Sequence, residues 1–134
     1  MPTAAQLKQL KAAAKTAAGR AYAPYSRFHV GAAVLTESGK IFSGCNVENA
    51  SYGLCNCAER SAIFNAVSAG ERKFQCVVVY TPTKTATAPC GACRQVIYEF
   101  GPTIRVVSFC DGPERIDRTI HSLLPAAFGP HDLE

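Results

Sequence analysis

The sequence contains no tryptophan, no stretch in which lysine and arginine gather, and no apolar run as long as a membrane span. The first two absences argue against a nucleic-acid groove, which needs a basic stripe and stacking platforms. The third argues against a spanning helix. Charge is sparse as well: Asp, Glu, Lys and Arg make up 18% of the chain, against about 25% in a typical domain. So few charges imply that part of the surface is covered by other subunits. The net charge of +4 is mild. Five Tyr and seven Phe remain to stack a base singly, and the balance favours a small or neutral ligand over a polyanion.

An even cysteine count is missing too. There are seven, Cys45, Cys55, Cys57, Cys76, Cys90, Cys93 and Cys110, and no signal peptide precedes them. An odd count in a reduced, cytoplasmic setting argues against a disulfide framework. Lys8, Lys11, Lys15 and Arg20 come without acidic neighbours. The segment lacks the Ser and Arg richness of a transit peptide, so it reads as a surface helix.

A length of 134 residues with 48% hydrophobic content supports one domain, residues 1–134. Leu7, Leu10 and Ala14 repeat at helical spacing, predicting a helix over 4–18 with Thr3 as N-cap and Gly19 as its stop. Phe28–Leu35 and Ile41–Val47 read as strands joined by the Glu37-Ser38-Gly39 turn, a hairpin. Gly31 and Gly44 inside them mark bulges or close packing. Helices are expected over Cys57–Ala69 and Cys90–Phe100, with a doubly buried strand at Phe74–Tyr80 between them. Strands at Ile104–Phe109 and Arg115–Arg118, the latter antiparallel, and a short helix at Ile120–Leu124 complete the order. This gives an α/β domain of three layers, α/β/α, around a mixed five-stranded sheet. Ligands in such folds sit at the carboxyl ends of strands, where helices begin.

Two stretches stand at such positions: Cys57-Ala58-Glu59 and Pro89-Cys90-Gly91-Ala92-Cys93. Cys90 and Cys93 at i and i+3 share one helix face. A third thiolate from the other helix start gives zinc three protein ligands and one open position, the pattern of a catalytic site. Cys55 and Cys57 form C-x-C, and either can be the third ligand. Cys57 is preferred because Glu59 then lies two residues on, beside the open position. Three thiolates leave zinc with a formal charge of −1, which weakens its acidity. A guanidinium donating to sulfur offsets this. Arg60 is the stronger candidate; Arg94 stays open between that role and a solvated helix position. Cys45, Cys76 and Cys110 lie in apolar runs and read as small buried hydrophobes. His29, His121 and His131 have no evident role.

On these residues the chain resembles the small, homotetrameric, zinc-dependent cytidine deaminases. The shared segments are Ala23–Ala33, Gly44–Ala50, Cys57–Arg60, Pro89–Val96 and Leu123–Phe128. The zinc-deaminase signature itself, C-A-E with P-C-x-x-C, is a known pattern. The resemblance implies a cytidine-deaminase-like fold, one Zn2+ per chain on Cys57, Cys90 and Cys93, and hydrolysis of cytidine or deoxycytidine to uridine or deoxyuridine with loss of ammonia. In that reading Glu59 is the catalytic base and acid. Phe28 packs on the pyrimidine, the Ala58 backbone N–H reads its O2, and Asn46 with Glu48 holds the ribose 3′-hydroxyl. Tyr52 and Phe128 reach a neighbouring subunit's site. A carboxylate accepts from a hydroxyl but repels phosphate, so Glu48 favours nucleosides over nucleotides and strands. Alternatives are a deaminase of a nucleoside antibiotic, a nucleic-acid-editing deaminase, a dithiol redox protein on Cys90 and Cys93, and a closed structural zinc module using Cys55.

Overall fold

A computed structural model describes residues 1–134. Helix α1 (Ala4–Ala18) begins at Thr3, whose hydroxyl accepts from the Gln6 N–H at 3.1 Å while the Gln6 side chain accepts from the Thr3 N–H at 2.9 Å. This reciprocal cap satisfies two donors that the first turn leaves free. The chain continues through β1 (Gly31–Thr36), β2 (Ile41–Cys45), α2 (Ala58–Ser68), β3 (Phe74–Thr81), α3 (Gly91–Tyr98), β4 (Arg105–Cys110), β5 (Arg115–Thr119) and α4 (Ile120–Leu123). Short 3₁₀ turns cover Tyr52–Leu54 and Pro130–Leu133. No helix is long and apolar enough to cross a membrane.

The five strands lie in the order β2-β1-β3-β4-β5. β1 is antiparallel to both neighbours, β3 and β4 are parallel, and β5 is antiparallel to β4. Strands β2, β3 and β4 therefore point the same way. Their carboxyl ends share one edge of the sheet, and α2 and α3 both start there, which brings two distant cysteine stretches together.

The sheet separates two cores. On one face α1 lays Leu10 and Ala14 against Leu35, Val78 and Phe109; on the other, Ala62 and Ile63 of α2 and Ile97 of α3 cover Val34, Val77, Val79 and Val106. Each fully buried Leu, Ile or Val contributes about 1.5–3 kcal/mol relative to exposure. β3 serves both cores, which explains its unbroken apolar run. The two glycines are packing positions, not bulges. A Cβ on Gly31 would stand 1.8 Å from the Ala14 carbonyl oxygen, and one on Gly44 would stand 2.4 Å from the Ala62 nitrogen. The one irregularity of register in β1 falls between Leu35 and Thr36 instead.

Several boundaries differ from the sequence reading. Cys57 and Cys90 are N-caps, so the helices begin one residue later, at Ala58 and Gly91. α3 ends at Tyr98. The first strand starts at Gly31, not Phe28, because a side chain replaces the ladder there. The Asn46 Oδ1 accepts from the Val30 N–H at 2.8 Å, and its Nδ2 donates to the Phe28 carbonyl at 2.8 Å. β2 correspondingly stops at Cys45, and Val47 makes only isolated bridges.

Candidate active site

The starts of α2 and α3 meet at three sulfurs. The Sγ atoms of Cys57, Cys90 and Cys93 all lie within 4.8 Å of one another, and Cys57 and Cys90 are 3.8 Å apart. Zn–S bonds of about 2.3 Å in a tetrahedron set a sulfur–sulfur edge of about 3.8 Å. The donor set and its spacing thus fit zinc. All seven cysteines are free thiols. Cys55 lies outside the cluster: its Sγ accepts from the Asn49 N–H at 3.3 Å and donates to the Asn49 carbonyl at 3.7 Å. The fold thus brings Cys57, and not Cys55, to Cys90 and Cys93.

The cluster is electrostatically prepared. The Cys57 thiol pKa is held low, at about 5, by the hydrogen bond from Cys93, against burial and with help from Arg60 and Cys90. Its N-cap position adds the pull of the helix dipole. Cys93 moves the other way, pushed up by its bond to Cys57 and then by burial. The Arg60 Nη2 donates to the Cys57 sulfur at 3.2 Å. Arg94 does not reach the sulfurs. Its Nε donates to the Pro89 carbonyl and its Nη1 to the Leu123 carbonyl, each at 2.8 Å. It ties the loop before Cys90 to the end of α4.

Glu59 sits in the first turn of α2, 4% exposed. Burial pushes its carboxyl up to about 7, and the neighbouring Cys57 charge adds to the effect. A cavity of about 170 Å³ opens above it, lined by Ser26, Phe28, Val30, Asn46, Glu48, Cys57, Ala58, Glu59, Val79, Thr87, Ala88 and Cys90. Every predicted residue for the base and the sugar therefore lines one space with two of the three thiols. Phe28 is 39% exposed, an aromatic face held at the mouth.

Glu48 lines both this cavity and the adjacent hollow. Its Oε1 accepts from the Tyr25 N–H at 3.0 Å and the Ser26 N–H at 3.1 Å, and its Oε2 accepts from the Ser26 hydroxyl. That hydroxyl and the backbone donors hold its pKa below the usual carboxylate value. Tyr52 and Phe128 do not line this cavity. Tyr52 is 72% exposed and borders an adjacent hollow with Tyr25, Ser26, Glu48 and Cys55; its ring meets that of Tyr25 edge-on at 5.9 Å. Phe128 is 60% exposed, its carbonyl held by the Gln95 Nε2 at 2.8 Å.

Of the other cysteines, Cys76 and Cys110 are buried as expected, whereas Cys45 is only half-buried. It lies on β2, an edge strand of the sheet, and its thiol donates to the Arg20 carbonyl at 3.6 Å. Ser26 has no role in the sequence reading, and the contact Arg94 makes is neither of the two left open for it. Ser26 bonds a carboxylate 22 positions away, and Arg94 a carbonyl 29 positions away. No local spacing signals either contact.

Comparison with known proteins agrees with this geometry. Residues 4–110 match the model of the cytidine and deoxycytidylate deaminase zinc-binding region. A cytidine deaminase of Sporosarcina psychrophila is 47% identical over 128 residues, covering 95% of this chain and 94% of that one. The crystal structure of the Burkholderia pseudomallei cytidine deaminase superposes with a TM-score of 0.86 at 53% identity, over 90% of this chain and 98% of that one. The Mycobacterium tuberculosis enzyme superposes with a TM-score of 0.79 at 40% identity, over 92% and 97%. Motif, fold and overall sequence agree along almost the whole length, and this chain belongs to the cytidine deaminase family of zinc proteins.

Proposed function

We propose that the protein hydrolyses cytidine and deoxycytidine to uridine and deoxyuridine, releasing ammonia, as a step of pyrimidine salvage. The observation that carries this reading is buried Glu59 at the helix start that brings Cys57 to Cys90 and Cys93, in a cavity that Glu48 and Asn46 also line.

Cys57, Cys90 and Cys93 would hold one zinc ion. Bound there, zinc would supply Lewis acidity that makes water a competent nucleophile near neutral pH. Glu59, with a carboxyl near 7, is suited to take and return protons at that pH. It removes one proton from the attacking water as oxygen bonds to C4, and delivers it to N3. It then carries the second proton to the amino nitrogen as the C4–N bond breaks and ammonia leaves. The remaining oxygen becomes the C4 carbonyl, so one water is consumed and atoms balance. Arg60 draws charge from the Cys57 sulfur, which supports the acidity that three thiolates oppose.

The rest of the cavity orients the nucleoside. The Phe28 ring packs on the pyrimidine. The Ala58 N–H, free in the first turn of α2, reads O2. Asn46 has spent one N–H and one lone pair on the Phe28–Val30 backbone, leaving one of each for the sugar. Glu48 accepts from the 3′-hydroxyl. Tyr52 and Phe128, exposed on this chain, reach the site of a neighbouring copy in a cytoplasmic homotetramer. The sparse surface charge supports that arrangement.

An absorbance assay with cytidine, deoxycytidine and cytidine monophosphate, run with a zinc count, tests the reading. Turnover of both nucleosides, weak turnover of the monophosphate and one zinc per chain are expected. Equal turnover of the monophosphate contradicts the sugar pocket, and a chain that binds no zinc contradicts the metal site. Light scattering that finds a monomer at micromolar concentration contradicts the tetramer.

A further inference from the structure

The Ser26 hydroxyl joins two walls of the cavity that the sequence keeps far apart. It donates its one proton to the Glu48 Oε2 and accepts from the Phe28 N–H at 3.0 Å. Arg27, between Ser26 and Phe28, has φ +59°, a left-handed conformation uncommon outside glycine. The chain is thus turned sharply so that Ser26 and Phe28 both line the same space as Glu48. From the opposite side Asn46 braces the Phe28 carbonyl. An ionised carboxylate offers about four lone-pair sites. Oε1 spends two on the Tyr25 and Ser26 N–H groups, and Oε2 spends one on the Ser26 hydroxyl. One acceptor site, on Oε2, has no partner within the chain, and Glu48 lines the cavity.

We infer that Ser26 is a positioning residue for the sugar: its hydroxyl fixes the rotation of the Glu48 carboxylate so that this single open site meets a furanose hydroxyl, and couples it to the ring that holds the base. The inference rests on the proposed contact between Glu48 and the 3′-hydroxyl. A carboxylate free to rotate would offer several acceptor directions and discriminate poorly. One fixed site rewards a donor at one place on the sugar and leaves the carboxylate repelling any phosphate there. Ser26 itself touches Glu48 and the backbone, and acts on the substrate through them.

The test measures kcat/KM for deoxycytidine and for 2′,3′-dideoxycytidine, which differ only in the 3′-hydroxyl, in wild type, Ser26→Ala and Ser26→Thr. Wild type should prefer deoxycytidine by about tenfold or more, the size expected of a hydrogen bond to a charged group. Ser26→Ala should lose most of that preference, to about threefold or less, and Ser26→Thr, which keeps the hydroxyl, should restore it. A loop merely loosened by the substitution would raise KM for both substrates and leave their ratio unchanged. An unchanged ratio in folded Ser26→Ala therefore overturns the role of Ser26. A wild type with no preference overturns the Glu48 contact itself, and this inference with it. Where Ser26→Ala fails to fold, Ser26→Cys, similar in shape but a weak donor, replaces it with the same expected loss.

Discussion

The zinc corner and the sugar rim of this cavity are built in different ways. The corner hangs on two helix starts: Cys57 and Cys90 are N-caps, Cys93 and Glu59 lie in first turns, and Glu59, Ala58 and Cys93 are buried. Sheet topology brings the two helix starts together at one edge. The rim is loop. Phe28, which lines the cavity, is 39% exposed, and Tyr25 and Tyr52, which border the adjacent hollow, are 49% and 72% exposed. What holds the rim is a set of side chain to backbone bonds from Glu48, Ser26 and Asn46. A proton-transfer site needs atoms fixed to fractions of an ångström, and rigid elements supply this. A binding rim must admit substrate and release product, and loops suit that.

This contrast predicts that corner variants lower kcat and rim variants raise KM. The largest effect belongs to Cys93→Ala, which should abolish zinc binding and activity together; zinc retained at one per chain would show that two thiols suffice. Arg60→Gln should keep zinc, measured by metal analysis, yet lower kcat roughly tenfold to a hundredfold. Wild-type kcat in that variant would make Arg60 a structural residue only. Glu48→Ala should raise KM for cytidine about tenfold or more with a smaller change in kcat. The smallest effect is expected of Phe128→Ala, a rise in KM of several-fold, about 1 kcal/mol of lost aromatic contact, with thermal stability unchanged. A KM equal to wild type would place Phe128 outside any substrate site.

The same division decides what could be read from the sequence. The corner was legible because helix starts are written locally. The Cys90 and Cys93 spacing, the apolar repeat after Cys57 and the buried run of β3 each carry a period. The five strands and their order of connections followed from the same signals, and resemblance to a family supplied the roles at the rim. Boundaries at the rim were not legible. Phe28–Val30 has the composition of a strand, yet a carboxamide 16 positions from Val30 takes the ladder's place. Gly31 and Gly44 signalled close approach, but which helix comes near them depends on tertiary packing. Cys55 and Cys57 have equivalent local signals; only the fold turns one thiol to the cluster and the other to Asn49. Arg94, adjacent to a predicted ligand, is open in the sequence between a sulfur partner and a solvated helix position, and instead ties the loop before Cys90 to the end of α4.

The central claim is that Glu59 moves the protons of the reaction without holding the metal. Glu59→Gln, which keeps the shape and removes the ionisable group, separates the two roles. Zinc content and cytidine turnover are measured on the same purified sample. The expected result is one zinc per chain with turnover lowered by about 10²- to 10⁴-fold, the contribution of general acid–base catalysis. Turnover near wild type, or loss of the zinc along with the activity, would contradict it.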